Sequence, residues 1–146
     1  MKTSWQSLLF VFIQFFSLGY IALTGPLFPT SNVLLLIELL GLALGIWAVL
    51  VMRIGNFNIT PDPLKWSKLV MIGPYELIRH PMYLALLLTT LPLVLNHLTW
   101  VKGLIWLVLI LGLLFKMDYE EGLLIDQLEG YRDYAGKSWK LIPFVY

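Results

Sequence analysis

Four apolar runs organise this chain. They cover about Ser7 to Leu23, Val33 to Met52, Met82 to Leu95 and Leu98 to Phe115. A membrane-spanning helix needs roughly 20 apolar residues, with a range of about 17–25. The first, second and fourth runs meet that length. The third is short and contains Pro92. It spans only if it tilts, or if the polar residues at its start already lie at membrane depth. The pattern predicts an all-α fold in one domain, 1–146: an integral membrane bundle of about four transmembrane helices with a cytoplasmic C-terminal amphipathic helix.

The connections set the expected orientation. "TGPLFPTSN" between the first two runs is uncharged, whereas the long second connection holds Arg53, Lys65, Lys68 and Arg79. Lys and Arg favour the cytoplasmic side. That connection and both termini are therefore expected in the cytoplasm, with Lys102 opposing weakly. The N-terminal run begins like a signal peptide, but no small-residue cleavage site follows it. It is read as a retained span.

Composition agrees. The 146 residues are 59% hydrophobic and 13% charged, against about 45–50% and about 25% for soluble domains. Zero Cys excludes disulfides and thiolate chemistry. A net charge of +1 without a basic stripe gives no case for nucleic acid. Ser67 and Ser138 have no nucleophile-activating companions, no phosphate-cradling loop is present, and His80 and His97 flank a span, so no metal site is expected.

In the second run, Gly41 and Gly45 form a G-x-x-x-G spacing that lets helix backbones approach closely. Packing inside the bundle is favoured over dimerisation. Glu38 in the same run is either interfacial or functional.

The concentrated chemistry lies in two clusters. The first is "GPYELIRHPMYLA", Gly73 to Ala85. Gly73-Pro74 favours a turn, Pro81 suits the first turn of a helix, and His80 falls near its N-cap. The second is "KMDYEEGLLIDQLEGYRDY", Lys116 to Tyr134. Lys116 and Glu120 are spaced i,i+4 and can pair. Glu120 and Glu121 would meet the negative end of the helix dipole if the helix stopped there. Either it continues, or these acids answer a cation. Leu124, Leu128, Tyr131 and Ala135 form an amphipathic stripe that Gly136 would end.

Together these blocks resemble the isoprenylcysteine carboxyl methyltransferase and phospholipid methyltransferase family, in its small prokaryotic type. The family pattern is roughly L-V-x-x-G-P-Y-x-x-x-R-H-P-x-Y-x-G, then E-E-x-x-L, Y-x-x-Y and a basic-x-I-P end. The chain supplies Leu69-Val70, Gly73-Pro74-Tyr75, Arg79-His80-Pro81 and Tyr83, then Glu120-Glu121, Leu124, Tyr131, Tyr134 and Lys140 to Pro143. The resemblance runs from Asn56 to Pro143. Ala85 stands where the family usually has Gly, Leu128-Glu129 replaces a Phe-Gly pair, and Lys116 stands where the isoprenylcysteine branch often has Arg.

The resemblance implies a membrane enzyme that uses S-adenosylmethionine. Leu69, Val70, Tyr75, Arg79, His80, Pro81, Met82, Tyr83, Glu120 and Tyr131 would hold the cofactor. The acceptor would be lipophilic, a carboxylate of an isoprenylcysteine-like molecule or an amine of a membrane lipid. Direct in-line transfer is expected, with Lys116 orienting a carboxylate, or Glu121 or Glu38 serving an amine. The alternative is a non-catalytic membrane protein, an assembly factor or transport subunit, that retains the fold.

Overall fold

The structure is a computed structural model and describes residues 4–52, 58–62 and 68–146. Arg53, Asn56, Lys65 and Ser67 lie outside the described residues. The described chain is mostly helical. In order, α1 is Trp5–Leu23, α2 Asn32–Met52, α3 Pro74–Leu77, α4 Pro81–Asn96, α5 Trp100–Gln127 and α6 Tyr131–Ala135. Among the described residues, α1, α2 and α5 are long and apolar enough to cross a membrane, and α4 is a shorter apolar helix. Such a chain is compatible with a multi-pass membrane protein. Its large side chains behave accordingly: Phe12, Phe16, Leu36, Leu50 and Leu104 are exposed on the helix surfaces. In water that would be costly, whereas in lipid it is the expected arrangement.

The helices alternate in direction. Gly41 meets Thr89 while Gly45 meets Ala85, so α2 and α4 are antiparallel. The α1–α5 pair is antiparallel too: Ser4 accepts a hydrogen bond from the Tyr119 hydroxyl at 3.0 Å, and at the other end Lys102 lies against Gly25. Ile21, Leu93, Val94, Leu109 and Leu113 form a buried apolar cluster joining α1, α4 and α5. Thr90 bridges α4 and α5, accepting from Trp106 Nε1 at 3.1 Å while donating to the Leu86 carbonyl at 2.8 Å. The third run forms a helix that passes through Pro92 without a break. At 16 residues, α4 is about 24 Å long, shorter than a bilayer core of about 30 Å.

The two glycines of α2 pack within the bundle, as the spacing suggested. A Cβ added at Gly41 would lie 2.7 Å from the Thr89 amide nitrogen, and one at Gly45 would lie 3.3 Å from the Ala85 Cβ. The absence of a glycine at 85 is thus matched by a glycine on the facing helix. Gly41→Ala is expected to force α2 off α4 and to cost about 1–3 kcal/mol, the usual scale of overpacking. Gly19→Ala meets nothing within 4 Å, and is expected to be neutral or stabilising by up to about 1 kcal/mol. Thermal unfolding in detergent checks the pair. Equal midpoints for the two variants would refute the close approach.

Candidate functional site

The site end of the bundle is built from the polar segments. Gly73 adopts φ 61°, ψ −133°, a backbone region that glycine alone enters freely. Its Cα also sits where a Cβ would come 3.0 Å from Val51 and 3.3 Å from Trp47 Nε1. This turn starts α3, with Pro74 at its first position. The chain then extends through Ile78, and α4 begins with His80 as N-cap and Pro81 in its first turn. The 28 residues of α5 make about 42 Å of helix, which exceeds a bilayer core by about two turns. The acids at 120 and 121 therefore sit within a continuing helix. Glu121 also answers cations.

Arg79 is the centre of that answer. Its Nε donates to Glu121 Oε1 at 2.6 Å, and its Nη1 donates to the carbonyls of Ala135 (2.8 Å) and Ser138. His80 Nε2 lies 3.2 Å from Glu121 Oε1, and Lys140 Nζ lies 3.3 Å from Glu121 Oε2. Lys140 also pairs with Asp118. Burial works against the Lys140 charge, but the hydrogen bonds and charges of Asp118 and Glu121 outweigh it and hold the ammonium above its usual range. The C-terminal segment closes over this network. Arg79 N donates to Trp139 O (2.8 Å), His80 N to Lys140 O (3.1 Å) and Trp139 N to Leu77 O (3.0 Å).

Beside the network lies a cavity of about 640 Å³, within the roughly 300–1,000 Å³ of small-ligand sites. Its polar mouth is made by Tyr75, Arg79, His80, Tyr83, Glu120, Tyr131 and Tyr134, and Leu69, Val70, Pro81 and Met82 add to the wall. Its apolar arm runs between α1 and α2 over α4, past Leu18, Leu42, Gly45, Ile46, Leu86 and Thr89. Helices α1 and α2 each pack on α4 and share no comparable interface with one another.

Within the mouth, the Tyr83 hydroxyl donates to Glu120 Oε2 at 2.7 Å, and the His80 ring stacks on Tyr83 with centroids 5.4 Å apart. Burial raises the Tyr75 and Tyr131 hydroxyls well above the ordinary phenol range, and nearby Glu120 adds to both. Burial pushes Tyr134 up to about 12. All three are neutral donors at working pH. Tyr134 donates to the Tyr75 carbonyl at 2.5 Å, whereas the Tyr75 hydroxyl is buried without a partner among the described residues. An orphaned donor in a cavity wall is a group that a ligand can satisfy.

Every residue expected to hold the cofactor lines this one cavity, as does Lys116. Glu121 does not. Its oxygens face Arg79, His80 and Lys140, so it braces the wall from behind, where an acceptor would not reach it. Glu38 is likewise absent from the cavity; it is buried, with Oε2 unpartnered among the described residues. Lys116 departs from the i,i+4 expectation. It donates to Gln14 Oε1 at 2.8 Å and to the Ile59 carbonyl at 3.0 Å, and lies 5.1 Å over the Tyr83 ring. The amphipathic stripe is split as well. Helix α5 caps at Leu128, Gly130 takes φ 81°, and α6 starts at Tyr131, so Leu124 and Leu128 reach the cavity from one helix end and Tyr131 from another helix.

Gln14 and Thr89 were not expected in the site. Gln14 did carry a signal, an amide in the middle of an apolar run. Comparison with family models, with curated proteins and with solved structures gave no match.

Proposed function

We propose that the protein is a membrane methyltransferase that uses S-adenosylmethionine to methylate a lipophilic acceptor at the cytoplasmic interface. In this reading four helices cross the bilayer, with the short α4 tilted, and both termini are cytoplasmic. The observation that carries it is a cavity in which the 69–83 segment meets the 116–134 segment, polar at its mouth and apolar along its arm. A water-soluble cofactor and a lipid acceptor need such a divided room.

The residues fit the cofactor's chemistry. Glu120 answers its ammonium, and the faces of Tyr75, Tyr83 and Tyr131 attract cationic groups. The Tyr75 hydroxyl and the remaining donors of Arg79 suit its carboxylate or ribose. When bound, the cofactor supplies an already activated methyl group on positive sulfur, so no covalent enzyme intermediate is required. The protein's part is positioning and charge placement. Tyr83 fixes the Glu120 carboxylate, Glu121 fixes Arg79 and His80, and Lys116 stands where the mouth meets the arm, suited to orient a carboxylate acceptor.

Calorimetry with purified protein in detergent is expected to give saturable S-adenosylmethionine binding. Labelled methyl from the cofactor is expected in a lipid-soluble product when membrane lipid extract or a prenylcysteine analogue is supplied. Absence of cofactor binding would sink the reading and leave a non-catalytic membrane protein.

A further inference from the structure

Lys116 is 2% exposed, yet its partners are neutral: the Gln14 amide oxygen, the Ile59 carbonyl and the Tyr83 ring. No carboxylate lies within 4 Å of its ammonium among the described residues. Arg79 and His80 of the mouth differ. Arg79 is held by Glu121, and His80 lies against both glutamates. An ammonium hydrogen-bonded only by neutral acceptors among the described residues is a costly buried charge, and an anion entering the cavity would stabilise it.

What keeps it there is α1. Gln14 and Ile59 come from elements outside α5, and both line the cavity beside Lys116. A lysine stem has four rotatable carbons and no fixed direction of its own. Freed from Gln14, the ammonium can swing one turn along α5 toward Glu120, and the two charges would then cancel.

We infer that Gln14 is the positioning residue for the acceptor: by holding the Lys116 ammonium at the junction of mouth and arm, it commits the site to acceptors with an anionic head and an apolar chain. This rests on the methyltransferase reading. A glutamine serves where a glutamate would fail, because it binds the ammonium without neutralising it.

That difference supplies the test. The full-length protein and the variants Gln14→Leu, Gln14→Asn and Gln14→Glu are assayed for methyl transfer to two carboxylate probes, S-farnesyl-N-acetylcysteine and dodecanoate, and to dodecylamine. Cofactor affinity is measured separately by calorimetry. The wild type is expected to prefer the carboxylates. Gln14→Leu and Gln14→Asn are expected to raise the carboxylate KM about tenfold, the scale of one hydrogen bond to a charged group, with kcat and cofactor affinity changed less than threefold. Gln14→Glu is the decisive variant. It keeps the oxygen, length and fold, and is expected to raise that KM further than leucine does.

Wild-type behaviour in Gln14→Glu would make Gln14 a structural clip and overturn the inference. So would preference for the amine, or no transfer to either carboxylate by a protein that binds the cofactor. In those cases the proposed function stands. Loss of cofactor binding in the wild type itself removes both.

Discussion

Glu120→Gln is expected to weaken S-adenosylmethionine binding by about 30- to 1,000-fold, equivalent to about 2–4 kcal/mol. Glu120 is a carboxylate of the cavity lining beside Tyr83, with its Oε2 2.7 Å from the Tyr83 hydroxyl and 3.9 Å from His80 Nδ1. Glutamine keeps an oxygen for the Tyr83 hydrogen bond, so the wall should stand while the charge goes. The cost is large because the cofactor's ammonium would be taken from water into a half-enclosed site and left without its counter-charge. Titration calorimetry reads the change, and thermal unfolding of the unliganded protein should move little. An affinity loss below threefold would take Glu120 out of the cofactor site.

Arg79→Ala is expected to cost about 3–5 kcal/mol of stability, the scale of breaking a buried pair from one side. That is a large part of the 5–15 kcal/mol typical of a whole domain. The guanidinium joins the α3–α4 turn to Glu121 of α5, to the end of α6 and to Ser138 at once. Without it, the Ala135 and Ser138 carbonyls lose a donor, and Glu121 keeps only His80 and Lys140. The Trp139 to Leu141 segment should then loosen from Leu77 to His80, and the cavity mouth with it. Arg79→Lys should recover less than half of the loss, since one ammonium cannot reproduce the planar fork. Tryptophan fluorescence during thermal unfolding reads the midpoint, with Trp139 one of six reporters. Equal midpoints for wild type and Arg79→Ala would show that the network is a surface decoration.

Both predictions turn on residues whose types were legible along the chain. Arg79, His80 and Glu120 stood out because polar groups beside apolar runs are costly unless used. Their partners were not legible. Lys116 looked like an i,i+4 partner of Glu120, since helix spacing alone brings them together. It bonds instead to Gln14, far earlier in the sequence, and that choice depends on how α1 lies against α5. Glu121 looked like a candidate for chemistry. The return of the C-terminal segment to the α3–α4 turn makes it a brace.

Local rules are carried by neighbouring residues, so the sequence alone determined the apolar helices and the start of α4, although α5 runs on past Phe115 to Gln127. Apolar run length marks α1, α2 and α5. Gly73-Pro74 and His80-Pro81 mark the turn and the start of α4, because only certain residues tolerate those backbone conformations. Gly41 and Gly45 marked the face of α2 that packs closely. The tertiary structure decided which side chains face one cavity, which cation is left with neutral partners, and which carboxylate lies behind the wall. Those outcomes depend on distances between residues far apart in the chain, and helix packing sets those distances to within an ångström. No local pattern encodes them.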